Sequence, residues 1–493
     1  MMPSRIARPA APLAVLLIAL PTLPIAAPLR AQITQGEYAA RRAALAAHLP
    51  DGAIVLALGA REPEQDYVTF FQASPFLYLT GFREPDAALV LVKQMATVTS
   101  TLFVEPRDPA REVWTGRRLG ADGVAPLTGM QGRDIGALRS TLDSLIATGL
   151  PLYVVGDLAG GGDLDAPGPS ATPDEQLVAE LRRAHPRLTV MDGTSLVAEL
   201  RGTKSAAELA LIRRAAAITA QAEREAMHAV SPGRNEYEIQ ALIEYTFRSE
   251  GADRPSFSTI VGSGPNSTTL HYNVDDRQMN AGEAVVMDIG ASYAGYAADV
   301  TRTVPVSGRF SPAQRDIYTV VRAAQAAAER QATLGNEARR MESAADSALA
   351  AGLAQLGLIE SPAATYDCSP DATRQCRQYR LYYMHAIGHA IGLDVHDSDQ
   401  YYFPPGKIAP GSAFTIEPGI YVRADVLRWL PDTPRNRALQ ARLAGAVAKY
   451  ADIGVRIEDD YVATDAGVEW ITRAPREIDE VEREMARAAR GQP

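Results

Sequence analysis

Apolar residues recur every three to four positions through residues 36–49 (GEYAARRAALAAHL), the spacing of an amphipathic helix, and a short apolar run at Ala53–Leu58 then reads as a strand. Further strands are expected around Phe76–Leu79, Ala87–Lys93, Thr101–Val104 and Leu152–Val155, which makes residues 34–195 a mixed α/β unit. Within it, residues 159–173 (AGGGDLDAPGPSATP) have the composition of a surface loop rather than a domain break. The segment Arg201–Lys204 (RGTK) closes this unit. A long helix follows, SAAELALIRRAAAITAQAEREAMHAV, and stops at the breaker Ser231-Pro232-Gly233. A second helix (NEYEIQALIEYTFRSEG), a strand-rich segment at 257–305 and a helix pair over about 312–356 come next. Residues 430–450 (LPDTPRNRALQARLAGAVAKY) read as a surface insertion between two strands.

The 493 residues exceed what one core ordinarily serves, so two domains are expected, residues 32–197 and 198–480, in an α/β (α+β) arrangement. No repeat of 20–50 residues is present. Residues 1–31 are of another kind. Arg5 and Arg8 precede an apolar run, Ala10–Leu20, that is too short to span a bilayer, and small residues lead to Arg30-Ala31-Gln32. This pattern predicts a secretory signal peptide, with an uncleaved anchor as the alternative. Its removal takes away three arginines and no acid, shifting the formal charge from −10 to −13. With that charge and no basic run, nucleic acid is excluded as a partner. The expected location is a bacterial periplasm, with no stable membrane association once the signal is cleaved. Cys368 and Cys376, with seven residues between them in a polar loop, are expected to form a local disulfide there. They lack the partners of a zinc finger.

Chemistry concentrates late in the chain. In VVMDIGASYAGYAADVTR (285–302), Asp288 ends an apolar strand and Asp299 follows a hairpin, so a turn presents both to one point. A lone aspartate at a strand end more often caps a turn; two acids in apolar settings favour a shared cation. In HAIGHAIGLDVH (385–396), His385 and His389 have the spacing of H-E-x-x-H, but Ala386 takes the glutamate position and Gly388 and Gly392 oppose a helix, so the zincin reading fails. His271, His385, His389 and His396 all fall in glycine-rich stretches, whereas His48, His185 and His228 lie on expected surface elements. Glu417 (FTIEPGIY) and Glu458 (GVRIEDD) each end a strand. Together Asp288, Asp299, His389, Glu417 and Glu458 make an oxygen-rich set that favours Mn²⁺ and can also take Zn²⁺, Co²⁺ or Fe²⁺. Five ligands serve two metals only if some bridge, which puts the metals about 3.5–4 Å apart with a hydroxide between them.

These motifs, with VGSGPNSTTLHY at 261–272, resemble in content and order those of the pita-bread metallopeptidases, which include aminopeptidase P, prolidase and methionine aminopeptidase. FFQASPFLYLTGFREPDAALVLV (70–92) and WTGRRLGAD (114–122) resemble the creatinase-like N-terminal domain of aminopeptidase P, which methionine aminopeptidases lack. The resemblance implies an N-terminal mixed α/β domain and a C-terminal pita-bread catalytic domain. It also implies hydrolysis of the first peptide bond of peptides with proline second, by a metal-bridging hydroxide. Asp288, Asp299, His389, Glu417 and Glu458 would be the ligands, with Asp299 and Glu458 bridging. Glu417 would also pass a proton to the leaving nitrogen, His271, His385 and His396 would line the substrate site, and Arg456 would orient the carboxylates. A homodimer or tetramer is implied as well.

Two departures stand out. Phe257 occupies a place where relatives often carry a tyrosine, whose hydroxyl Tyr421 would partly replace, and Phe71 stands where they often have arginine. Prolidase activity on Xaa-Pro dipeptides is the nearest rival, and a non-catalytic peptide-binding module is a remote one. The cysteine loop directly precedes the histidine motif and is expected to cap the cleft.

Overall fold

In a computed structural model describing residues 32–65, 67–158, 170–398 and 406–489, successive side chains of β1 (Ile54–Leu58) point to opposite faces of a six-stranded sheet, each face with its own core. Val55 and Ala57 join a cluster with the helices Gln35–Ala47 and Ser74–Thr80. Ile54 and Leu56 pack with Leu142, Ile146, Val178 and Leu181 from the helices Leu138–Ile146 and Pro173–Ala184. The other strands are β2 (Ala88–Gln94), β3 (Thr97–Val104), β4 (Gln131–Asp134), β5 (Leu152–Val155) and β6 (Val190–Asp192), in the order β4-β3-β2-β1-β5-β6. Pairs β1–β2 and β2–β3 are antiparallel and the rest parallel. The expected signal peptide and most of the loop 159–173 lie outside the described residues. Among the described residues no helix is long and apolar enough to cross a membrane.

The strand expected at Phe76–Leu79 is instead the helix Ser74–Thr80. Pro75 starts its first turn, where a missing N–H costs nothing, and Gly81 ends it in the left-handed conformation at φ 67°. Phe76, Leu77, Tyr78 and Leu79 are all buried, and a run without a polar phase does not distinguish helix from strand.

The second half of the chain is antiparallel. Strands β7 (Arg254–Pro255), β8 (Ile260–Ser263), β9 (Ala284–Ile289), β10 (Ala291–Tyr293), β11 (Tyr296–Ala297) and β12 (Val300–Pro305) build two sheets, β12-β9-β8 and β11-β10-β7. A hairpin, β13 (Thr365–Asp367) with β14 (Gln375–Arg377), comes next. Then β15 (Ala413–Ile416), β16 (Gly419–Val422), β17 (Ile453–Arg456), β18 (Asp459–Thr464) and β19 (Gly467–Trp470) pair as β15-β18-β19 and β16-β17. Apolar faces of the helices Ala206–Ala229, Glu236–Ser249, Pro312–Glu329 and Ala338–Gln355 share one core with these strands. Residues 430–450 lie between β16 and β17 as expected. They form the helix Pro434–Tyr450, whose outer face is exposed while Leu439, Leu443, Val447 and Tyr450 enter that core at helical spacing.

The two halves meet at the histidine segment. Arg201, buried at the end of helix Thr194–Arg201, lies 2.6 Å from both Asp394 and Asp397, and the Ser74 hydroxyl donates to Asp394 at 2.5 Å. The N-terminal unit thus clamps both sides of His396.

Candidate metal centre

Asp288 and Asp299 come together because β9 and β12 pair in register, Asp288 opposite Thr301, two residues after Asp299. The connection between them turns at Ala294 and Gly295, both at positive φ, as a two-residue hairpin requires. The histidine segment is not helical. It lies along β15, with Thr415 N–H donating to the His389 carbonyl (2.8 Å) and Glu417 N–H to that of Ile387 (2.8 Å). Gly388 permits this approach, since a Cβ there would meet the Thr415 carbonyl oxygen at 2.1 Å. Glu458 follows β17, and its N–H donates to the Thr301 carbonyl at 3.0 Å.

The result is a convergence. His389 Nε2 lies 3.4 Å from Asp299 Oδ2, 3.6 Å from Glu417 Oε1 and 4.0 Å from Glu458 Oε1. Ligand atoms of Asp299, His389 and Glu458 all fall within 4.8 Å of one another. Asp288 adjoins Asp299, and Arg456 donates to its Oδ2. Burial, followed by repulsion from Glu458, pushes the carboxyls of Asp299 and Glu417 well above the usual carboxylate range. Burial and Asp288 push Glu458 up to about 7. Asp288 Oδ1 and Asp299 Oδ1 are buried and accept no hydrogen bond among the described residues. Four crowded carboxylates with unused oxygens are costly without nearby positive charge and suit hard divalent cations. The donor set fits such ions.

Arg456 is the site's scaffold. Its Nη1 donates to the Tyr421 hydroxyl (2.8 Å) and its Nε to Thr301 Oγ1 (3.1 Å), and Thr301 Oγ1 donates to Glu458 Oε2 (2.7 Å). Arg456 therefore steers Asp288 directly and Glu458 through Thr301. Tyr421 does not replace the missing hydroxyl at Phe257. Its oxygen is held by Arg456 and by His385 Nε2 at 2.9 Å, so it reaches Asp288 only through the guanidinium. A lysine cannot donate along these three directions, so Arg456→Lys is expected to weaken metal affinity about 10- to 100-fold while the fold persists. Calorimetric titration of metal-free protein with Mn²⁺ measures this, and an unchanged affinity would show that Arg456 does not position Asp288.

The three remaining histidines surround the cluster. His385 Nδ1 lies 3.5 Å from Glu417 Oε2, and burial, with Arg456 nearby, lowers its pKa to about 3, keeping the ring neutral. His396 packs against His389 with ring centroids 4.1 Å apart. His271 and His396 line a cavity of about 220 Å³ with Phe257, Asp288 and Asp299. His48, His185 and His228 are elsewhere, at helix ends; His185 meets Asp143 at 2.8 Å and His228 meets Glu484 at 3.0 Å.

Cys368 and Cys376 are joined as a disulfide across the β13–β14 hairpin. This hairpin does not cap the carboxylate cavity. It is held instead on helix Pro434–Tyr450, where Asp367 accepts from Thr433 (2.7 Å) and exchanges hydrogen bonds with Asn436 (3.1 and 2.8 Å).

Several further residues, not marked out by the ligand motifs, support the site. Thr415 Oγ1 accepts from the His389 N–H (3.1 Å), and the Asp460 carboxylate accepts from the Asp299 N–H (3.1 Å). Arg302, fully buried, donates to the Glu458 carbonyl (2.6 Å) and pairs with Asp459 (2.6 Å). The available signal was the adjacency of TRT to Asp299 and of two further aspartates to Glu458, charged residues inside otherwise apolar strands.

Residues 210–465 match metallopeptidase family M24, and residues 38–153 match the aminopeptidase P N-terminal domain. The Xaa-Pro aminopeptidase of Haemophilus influenzae is 34% identical over 461 residues, spanning 92% of this chain and 98% of its own. The solved structure of aminopeptidase PepP from Pseudomonas aeruginosa is 33% identical with a TM-score of 0.78, covering 93% of this chain and 99% of that one. Escherichia coli aminopeptidase P with the inhibitor Pro-Leu gives 31% and 0.78, covering 93% and 100%.

Proposed function

We propose, from the premise that the chain belongs to metallopeptidase family M24 with an aminopeptidase P N-terminal domain before it, that it is an Xaa-Pro aminopeptidase: a hydrolase releasing the first residue of peptides with proline second. The observation that carries this reading is the meeting of His389 Nε2 with carboxylates of Asp299, Glu417 and Glu458 beside Asp288. These five residues would hold two divalent cations, with Asp299 and Glu458 shared, and the oxygen-rich set favours manganese. When bound, the cations supply Lewis acidity, polarising the scissile carbonyl and bringing the pKa of water from about 15.7 toward 7.

The chain's own groups do the rest. Glu417, between His389 and His385, takes the proton from the attacking water and returns it to the prolyl nitrogen. His385, neutral, donates its Nδ1–H to the Ala386 carbonyl (2.8 Å) and accepts from the Tyr421 hydroxyl at Nε2 (2.9 Å), which fixes its ring as an uncharged wall of the substrate site beside Glu417. His271 and His396, on the cavity wall, hold the prolyl residue. The cystine supports export to an oxidising compartment such as the periplasm. Helix Pro109–Thr115, which buries none of its residues and exposes Val113 and Trp114, supports assembly into a homo-oligomer.

The protein with Mn²⁺, offered an Xaa-Pro dipeptide and an Xaa-Pro-Yaa tripeptide, is expected to release Xaa from the tripeptide and to lose this activity on chelation. Turnover of the dipeptide alone would make it a prolidase. Metal-dependent turnover of neither would remove the enzymatic reading.

A further inference from the structure

His396 lines the carboxylate cavity beside Val395 and His271 and packs on His389, yet its ring makes no hydrogen bond among the described residues. Its place is therefore set by the backbone that carries it. That backbone is a turn, Ala390 to Asp397, closed by the Asp397 N–H on the Ala390 carbonyl at 2.9 Å. Within it the Asp397 carboxylate accepts from the N–H groups of Leu393 (3.0 Å) and Ser398 (2.7 Å). Gly392 makes room for that carboxylate, since a Cβ there would lie 1.8 Å from Asp397 Oδ2. Arg201 holds the turn from outside. One nitrogen, Nη2, lies 2.6 Å from Asp394 Oδ2 and 2.6 Å from Asp397 Oδ1, on either side of His396. Lys204, also buried, donates to the Ser398 carbonyl, and Ser74 holds the other oxygen of Asp394.

We infer that Arg201 is a positioning residue for proline selection: by fixing this turn it fixes the His396 imidazole against the prolyl ring. The inference rests on the Xaa-Pro aminopeptidase reading. Proline is rigid, and it gains most from a wall already in place, because little freedom is then left to lose on binding. An alanine in the same position offers that wall less surface and gains less from its being fixed. A turn held only by its internal hydrogen bonds would let the ring of His396 wander, and the prolyl contact would weaken with it. The partners of Arg201 are Asp394 and Asp397, neither of them a ligand candidate, so the metals should bind as before. Selectivity for proline thus depends on a cation that touches neither substrate nor metal.

Three variants of the full protein with Mn²⁺ test this: Arg201→Met, the conservative Arg201→Lys, and Asp394→Ala. The measurements are kcat and KM for a tripeptide Xaa-Pro-Yaa, calorimetric Kd for the dipeptides Pro-Yaa and Ala-Yaa, and hydrogen exchange of residues 390–398. Arg201→Met is expected to raise KM and the Kd of Pro-Yaa about tenfold, with kcat and the Kd of Ala-Yaa within about twofold. Exchange across 390–398 should quicken in the same variant. Arg201→Lys should keep most of the unaltered behaviour, because a single nitrogen makes both contacts and an ammonium can occupy its place. Arg201→Met leaves Asp397 buried without its cation; if it does not fold, Asp394→Ala decides. The Asp394 side chain is 48% exposed, so its truncation spares the fold, and it should raise KM and the Kd of Pro-Yaa about threefold. Equal weakening of Pro-Yaa and Ala-Yaa, a fall in kcat at constant KM, or no change in KM for Asp394→Ala would overturn the inference while the aminopeptidase reading stands. An unaltered protein that leaves Xaa-Pro-Yaa intact would instead remove the reading, and the inference with it.

Discussion

Asp299→Ala is expected to lower Mn²⁺-dependent turnover of an Xaa-Pro-Yaa tripeptide by at least about 10³-fold, the scale on which removing a transition-state charge partner acts. Asp299 faces His389 at 3.4 Å and adjoins both Asp288 and Glu458, so its loss removes the carboxylate central to the cluster. The variant should also lose tight binding of at least one metal ion, readable by metal analysis after dialysis. Its fold should persist. The Asp460 carboxylate still holds the backbone N–H of residue 299, and truncation relieves repulsion among buried carboxyls rather than orphaning a cation. In a melting experiment, Mn²⁺ should raise the midpoint of the unaltered protein, because it binds only the folded state, and should raise that of the variant less. A variant that keeps turnover and two tightly bound metals would end the dinuclear assignment of this residue.

Arg302→Met is expected to produce the largest loss of stability, about 3–5 kcal/mol, as when one partner of a buried ion pair is removed. Arg302 is 0% exposed, and its guanidinium donates to the carbonyls of Thr301, Glu458, Ala474 and Pro475 as well as to Asp459. Methionine fills the volume and satisfies none of these acceptors, each of which is dear to leave unpaired. Asp459 retains Arg476 at 2.8 Å and Trp470 Nε1 at 2.8 Å, so part of its charge stays compensated. Adding Asp459→Asn should recover some of the loss, since the remaining side chain no longer carries a buried charge. Chemical denaturation monitored by circular dichroism reads both effects. An unfolding midpoint matching that of the unaltered protein would show the guanidinium to be dispensable. Because the Glu458 carbonyl loses its donor, metal affinity should weaken in the same variant.

The five ligand candidates were legible because each stands out locally. Asp288 stands in an apolar strand and Asp299 follows the hairpin after it, Glu417 precedes Pro-Gly, and His389 lies among glycines. Their supports were less visible for a physical reason. Thr301, Thr415 and Arg302 act through partners 26 to 157 residues away, and no local period records that distance. Helix Ser74–Thr80 is indistinguishable from a strand in the sequence because its four consecutive buried residues carry no amphipathic phase.

By itself, the order of residues determined the donor chemistry, the failure of the zincin pattern at Ala386, the two-domain α/β plan and the cysteine pair. Those are properties of side-chain type and spacing along one strand or turn. Only the tertiary structure decided that Arg456 ties Asp288 to Tyr421, that Arg201, nearly 200 residues earlier in the chain, anchors both sides of His396, and that the disulfide hairpin stands beside a second cavity. Each of these depends on where antiparallel strands and packed helices bring distant residues. Burial, not sequence proximity, is what makes their hydrogen bonds and charges count.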